Sequence, residues 1–131
     1  MRWTRAIPSQ LLLASGAAAG DGGAVAPGND IYAAYADMHS ARRNGGMVRM
    51  SGMYDFSKQD FTPTGQGLFS TVVLREYDCE GRRVRLLSAI DFSGHMGAGD
   101  AVNTVSRLGR WEPIVSDGID EKYWDVACGT K

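Results

Sequence analysis

Apolar and polar positions alternate in part along residues 47–56, with Val48, Met50, Tyr54 and Phe56 on one parity, a pattern that predicts a β-strand. Upstream, residues 31–37 carry Tyr32 and Tyr35 among small side chains and are read as a first strand antiparallel to it, with residues 42–46 as the turn between them. Gly52 marks a bulge or a crowded backbone inside the second strand. Residues 58–67 hold Pro63, Gly65 and Gly67 among polar residues and are expected to form an exposed loop.

The most legible element spans residues 68–92, where the β-rich runs FSTVVLREYDC and RRVRLLSAIDF flank Glu80 and Gly81. This is a predicted hairpin with Gly81 supplying positive φ. If Glu80 and Gly81 are the whole loop, Cys79 faces Arg82, Tyr77 faces Val84, Arg75 faces Leu86 and Val73 faces Ser88; a three-residue loop would shift these pairs. Residues 93–100, with Gly94, Gly97 and Gly99, read as a flexible turn, and residues 101–108 as a further edge strand. Trp111, Pro113 and Ile114 are expected to carry the chain across the sheet. In residues 117–128, Ile119, Tyr123, Val126 and Ala127 recur at helical spacing beside Trp124, which predicts an amphipathic helix ending at Gly129, with Asp117 as N-cap and Glu121 in the first turn. Such a short helix is marginal alone and needs the sheet. The fold class is therefore α+β, mainly β: an antiparallel sheet with one C-terminal helix, fastened to it by a Cys79–Cys128 disulfide.

A length of 131 residues allows one modest core and a single domain. Fourteen basic residues against 15 acidic ones leave no global field toward nucleic acid or anionic membrane, so neither is an expected partner and any charged partner must be read by a local patch. Arg2 and Arg5 precede a mostly apolar or small stretch, residues 6–19, interrupted by Pro8, Ser9 and Gln10; with Ala17 and Ala19 it resembles a signal peptide cut before Gly20. A disordered leader without a targeting role is the alternative. Residues 20–29 are then a flexible lead-in and residues 30–131 the domain. No segment reaches the roughly 20 apolar residues needed to span a bilayer. In an exported chain two cysteines favour a bridge, because two thiolates without nearby His cannot complete a zinc shell. No metal site is expected.

Nucleophile, base and orienting group cannot be named together, so an enzyme is not expected. His39 and His95 lie outside any H-E-x-x-H arrangement, and no G-x-S-x-G is present. SGHMGAGD lacks the Lys and Ser/Thr of a phosphate cradle. No cofactor is expected; haem held by His39 or His95 with a Met is the exception that the soft ligands Met38, Met47, Met50, Met53 and Met96 leave open, although strand Met residues commonly fill cores. The hairpin arm concentrates Arg75, Arg82, Arg83 and Arg85 around a turn that also carries Tyr77, residue types favoured at protein interfaces, and the expected partner of this patch is a protein or a polyanion, acidic or sulfated. Against this stands a solvated hairpin in which Glu76, Asp78 and Glu80 neutralise the arginines.

YADMHSARRNGGMVRM, DF, LREYDCEGRRVRLL, SGHMGAGD, W-x-P-I and a terminal W-x-x-x-C-G follow one another in order over residues 31–129, and in this the chain resembles the bacterial surface-adhesin protein E family. The resemblance implies an antiparallel sheet with a C-terminal helix, Cys79 and Cys128 as partners, and export to the Gram-negative envelope, at the outer surface or in the periplasm. It implies an adhesin binding host extracellular-matrix or serum proteins, with haem binding also associated. A periplasmic small-ligand or haem carrier and an envelope module without soluble ligand are the alternatives, and pairing of two copies is also open. Two positions depart from the family pattern: Ser51 stands where a Trp usually follows V-R-M, and Gly118 where a Ser often caps the helix.

Overall fold

The structure, a computed structural model, describes residues 23–25 and 28–129; the leader expected over residues 1–19 lies outside the described residues. Among these, seven strands and one α-helix follow in the order β1 (Gly23–Ala24), β2 (Tyr32–Asn44), β3 (Met47–Phe61), β4 (Gly67–Asp78), β5 (Arg83–Phe92), β6 (Ala101–Val105), β7 (Glu112–Pro113) and α1 (Ile119–Cys128), with a 3-10 turn at His95–Gly97 between β5 and β6. Every pairing is antiparallel, the sheet runs β1-β2-β3-β4-β5-β6, and β7 pairs with β5. The lead-in is not wholly free of structure, since Gly23 and Ala24 pair with Ala36 and Tyr35.

Several boundaries differ from the expectations. Arg42, Arg43 and Asn44 belong to β2, and the turn contracts to Gly45 and Gly46, with Gly45 at φ 66. A two-residue loop with glycine in the left-handed region matches the twist of the strands it joins. β3 continues to Phe61 and β4 begins at Gly67, so the expected 58–67 loop contracts to residues 62–66. The extension follows a bulge between Asp55 and Asp60, where Ser57 N–H donates to Ile31 O and its hydroxyl to Asp30 O. β2 carries its own irregularity between Asp37 and Arg42, and there the Ser40 hydroxyl accepts from Ser51 N–H at 2.9 Å, filling the place of a missing ladder partner.

The β4–β5 hairpin keeps Tyr77 opposite Val84 and Arg75 opposite Leu86, but Val73 faces Ala89 rather than Ser88, because a bulge between Leu74 and Arg75 leaves Leu87 without a partner. The last pair is Asp78 with Arg83, so Cys79 and Arg82 lie in the turn. Positive φ falls on Arg82 (55°), not on Gly81. Gly81 serves another need: its N–H donates to Asp78 Oδ1 at 2.8 Å, and a Cβ there would lie 2.5 Å from Asp78 Oδ2. Residues 111–114 run along the open edge of β5 rather than across the sheet, pairing Glu112 with Val84 and Pro113 with Arg83. β6 stops at Val105, short of the expected 108.

α1 lies on one face of the sheet. Tyr123 joins Ala34, Ala36, Met50, Tyr77, Val84 and Ile114 in the buried cluster, with Ile119, Trp124, Val126 and Ala127 packed against it. The N-cap is Gly118, not Asp117. Asp117 sits at φ 65, and its N–H donates to Glu121 Oε1 at 2.8 Å, so the carboxylate of the first turn does the capping that the Asp117 side chain does not. Cys128, the last helical residue, is bonded to Cys79 in the hairpin turn. At the other end of the sheet, the buried Ser70 hydroxyl donates to Gly94 O at 2.6 Å and accepts from Gly97 N–H at 2.8 Å, which holds the glycine-rich 93–100 segment down.

Candidate binding surface

Strand alternation divides the expected site between two faces of the sheet. Arg75 and Tyr77 sit on the face that α1 covers, whereas Arg83 and Arg85 point to the opposite face and Arg82 lies in the turn. Tyr77 is 1% exposed and belongs to the core, and burial pushes its phenol well above the ordinary value. Arg75 is also largely enclosed, at 18% side-chain exposure. It donates to the Tyr54 hydroxyl at 3.0 Å, lies 5.6 Å from the ring centres of Tyr54 and Tyr123, and is 3.9 Å from Asp120. Burial opposes its charge, but the tyrosines and Asp120 outweigh that and the guanidinium stays charged.

At the turn, Arg82 binds Glu121 and stacks 4.9 Å from the Trp124 ring, tying the hairpin to the helix. On the opposite face, two residues directly across from arginines are acidic: Asp78 accepts from Arg83 at 2.7 and 3.1 Å, and Glu76 from Arg85 at 2.7 and 2.9 Å. Trp111 lies beside both guanidinium groups, 4.6 Å from Arg83 and 4.5 Å from Arg85. Each hairpin arginine is therefore held in place by a carboxylate or an aromatic ring.

This face contains two arginines that residue-by-residue reading left out. Arg49 stands directly opposite Glu76 on β3, and Arg42 stands directly opposite Arg49 on β2. Placing residues 42–46 in a turn hid this pair. Had Gly45 and Gly46 been taken as a two-residue loop, counting back would have set Arg42 against Arg49. His39 is exposed at the β2 irregularity, and His95 stacks on Phe69 at 4.4 Å between ring centres and contacts Asp55 at 3.2 Å. Met50 and Met53 are buried in the sheet, while Met38 is exposed. Among the described residues no group of three or more His, Cys, Asp or Glu is placed to hold a metal ion.

The sequence matches the pattern of surface-adhesin protein E over residues 24–129, which is most of the chain. The chain belongs to the surface-adhesin protein E family. Its fold is that of Haemophilus influenzae protein E: one solved form aligns with a TM-score of 0.60 at 13% identity, over 72% of this chain and 79% of that one. A second aligns at 0.59 and 13% identity over 82% and 92%. Protein E from non-typeable Haemophilus influenzae aligns at 0.57 and 12% identity over 80% and 72%. No curated protein matches the chain by sequence. Membership in the surface-adhesin protein E family makes this an adhesin-like protein of the extracytoplasmic surface, and among the described residues no helix is long and apolar enough to cross a membrane.

Proposed function

We propose that the protein is a non-catalytic binding domain, displayed on the outer envelope, that engages a host extracellular-matrix protein through the arginine-bearing end of the β4–β5 hairpin. The family match over residues 24–129 carries this reading. The geometry adds support of a physical kind. Arg82 and Arg83 retain 42% and 44% side-chain exposure while a helix carboxylate and an aromatic ring orient them, so less conformational freedom is lost when a partner docks.

The test is binding of the oxidised chain to immobilised matrix glycoproteins over a salt series. Binding should weaken as salt rises and should be lost in the Arg82→Glu/Arg83→Glu double variant, because charge reversal adds repulsion to lost attraction. Arg82→Gln/Arg83→Gln, with its melting temperature measured alongside, separates lost contact from lost fold. Binding that ignores salt and survives both double variants would overturn the proposed surface, and failure to bind any matrix protein would overturn the adhesin reading.

A further inference from the structure

On the sheet face turned away from α1, the two rows nearest the β4–β5 turn carry an uneven charge, while Asp37, opposite Ser51 in the next row, and Asp55, opposite Ser70, lie farther along the same face. Register sets Arg42, Arg49, Glu76 and Arg85 in one row across β2, β3, β4 and β5, and Asn44, Met47, Asp78 and Arg83 in the next. These two rows hold four guanidinium groups and two carboxylates. Both carboxylates are already engaged, Asp78 by Arg83, and Glu76 by Arg85 with Arg49 at 3.6 Å. Among the described residues Arg42 has no carboxylate partner; its guanidinium donates to the carbonyls of His39 and Ala41, each at 2.8 Å. Register also sets Arg42 directly opposite Arg49, a like-charge juxtaposition that is unfavourable between antiparallel strands.

We propose that this face binds a sulfated polysaccharide. The proposal rests on the surface-contact reading above, and it names a ligand class and a face of its own. Three observations favour that ligand. The arginines are spread over the surface rather than converging on a pocket: neighbouring strands place Arg42 and Arg49 roughly 5 Å apart in the backbone, with Arg85 about 10 Å from Arg49. This arrangement suits a polymer with repeated anions better than a small molecule. Guanidinium offers a planar fork of donors that matches the oxygens of a tetrahedral anion, and it is less strongly hydrated than an ammonium. Trp111 and the two carboxylates preset the heads of Arg83 and Arg85, while Arg49, at 59% side-chain exposure, and Arg42 remain open to solvent. A nucleic acid offers similar charge, but it is a poor match for a protein of the extracytoplasmic surface.

The experiment titrates the oxidised full chain with a heparin-derived oligosaccharide, its desulfated counterpart, poly-glutamate and duplex DNA. The expected order puts the sulfated oligosaccharide first and the desulfated one at background. Each of Arg42→Gln and Arg49→Gln should weaken heparin binding about tenfold and lower the log–log salt slope by about one. Arg49→Gln should leave the melting temperature nearly unchanged, since it removes both the like charge opposite Arg42 and the exposed contact with Glu76. Lys122→Glu, on the exposed face of the helix, should bind as the unaltered chain does. Equal binding of sulfated and desulfated sugar, stronger binding of poly-glutamate or DNA, or equal losses in Lys122→Glu and Arg49→Gln would each overturn the proposal. Retained matrix-protein binding alongside absent heparin binding would sink this inference alone and leave the hairpin reading standing.

Discussion

Gly52 and the Tyr123 ring occupy adjoining space: a Cβ at Gly52 would lie 2.7 Å from Tyr123 Cε1 and 3.3 Å from its hydroxyl. Gly52 stays in register, opposite Ala36 on one side and Val73 on the other, so it marks a crowded backbone and not a bulge. The helix packs where it does because that strand position has no side chain. Gly52→Ala should therefore destabilise the fold by about 1–3 kcal/mol, the usual range for overpacking a core. Tyr123→Ala in the same background should recover part of that loss. Denaturant midpoints of the two single variants and the double variant give the coupling, and additive effects would argue against the contact.

The Cys79–Cys128 bridge spans 49 residues and joins the hairpin turn to the last helical residue. In the chain-entropy account, closing such a loop is worth roughly 4 kcal/mol. Alkylation of the folded chain without reductant should modify neither cysteine, as read by mass spectrometry. The Cys79→Ser/Cys128→Ser variant should melt well below the oxidised chain, with loss of the near-ultraviolet dichroism of Trp124, whose ring stacks with Arg82 and donates its N–H to Asp78 O.

Acid should loosen the hairpin turn, through Asp78, and its contact with the helix, through Glu121. The Gly81 N–H, together with Arg83, holds the Asp78 carboxyl below its ordinary value, and the Asp117 N–H, together with Arg82, does the same for Glu121. A depressed carboxylate contributes stability that is complete above the unfolded-state value and is lost as pH falls through the folded-state one. Stability should therefore be flat near neutrality and decline below about pH 4. Asp78→Asn/Glu121→Gln should be less stable at neutral pH and show a shallower decline, measurable as denaturant midpoints across pH.

The hairpin pairs nearest the turn were legible in the sequence because turn chemistry and β-rich runs meet there, and Tyr77–Val84 and Arg75–Leu86 follow from counting outward. The count fails at Val73 because the bulge at Leu87 is a packing decision with no local signature. The Asp117 cap failed for a related reason: the residue is of the right type, but its left-handed backbone hands the contact to Glu121 four residues on. The candidate surface was legible only as a cluster of arginines. Which of them face solvent depends on strand parity, and parity depends on bulges in β2 and β3.

By itself, the sequence determined a mainly β chain with one C-terminal helix, its disulfide and its family, because alternation, helical spacing, two cysteines and an ordered set of motifs are all properties of the linear chain. Only the tertiary structure decided that Tyr77 and Arg75 are enclosed beneath the helix, and that Arg42 and Arg49 stand together on the far face. A side chain's face is set by register, and register is settled by which strands pair and where they bulge. A single inserted residue turns every later side chain to the other side.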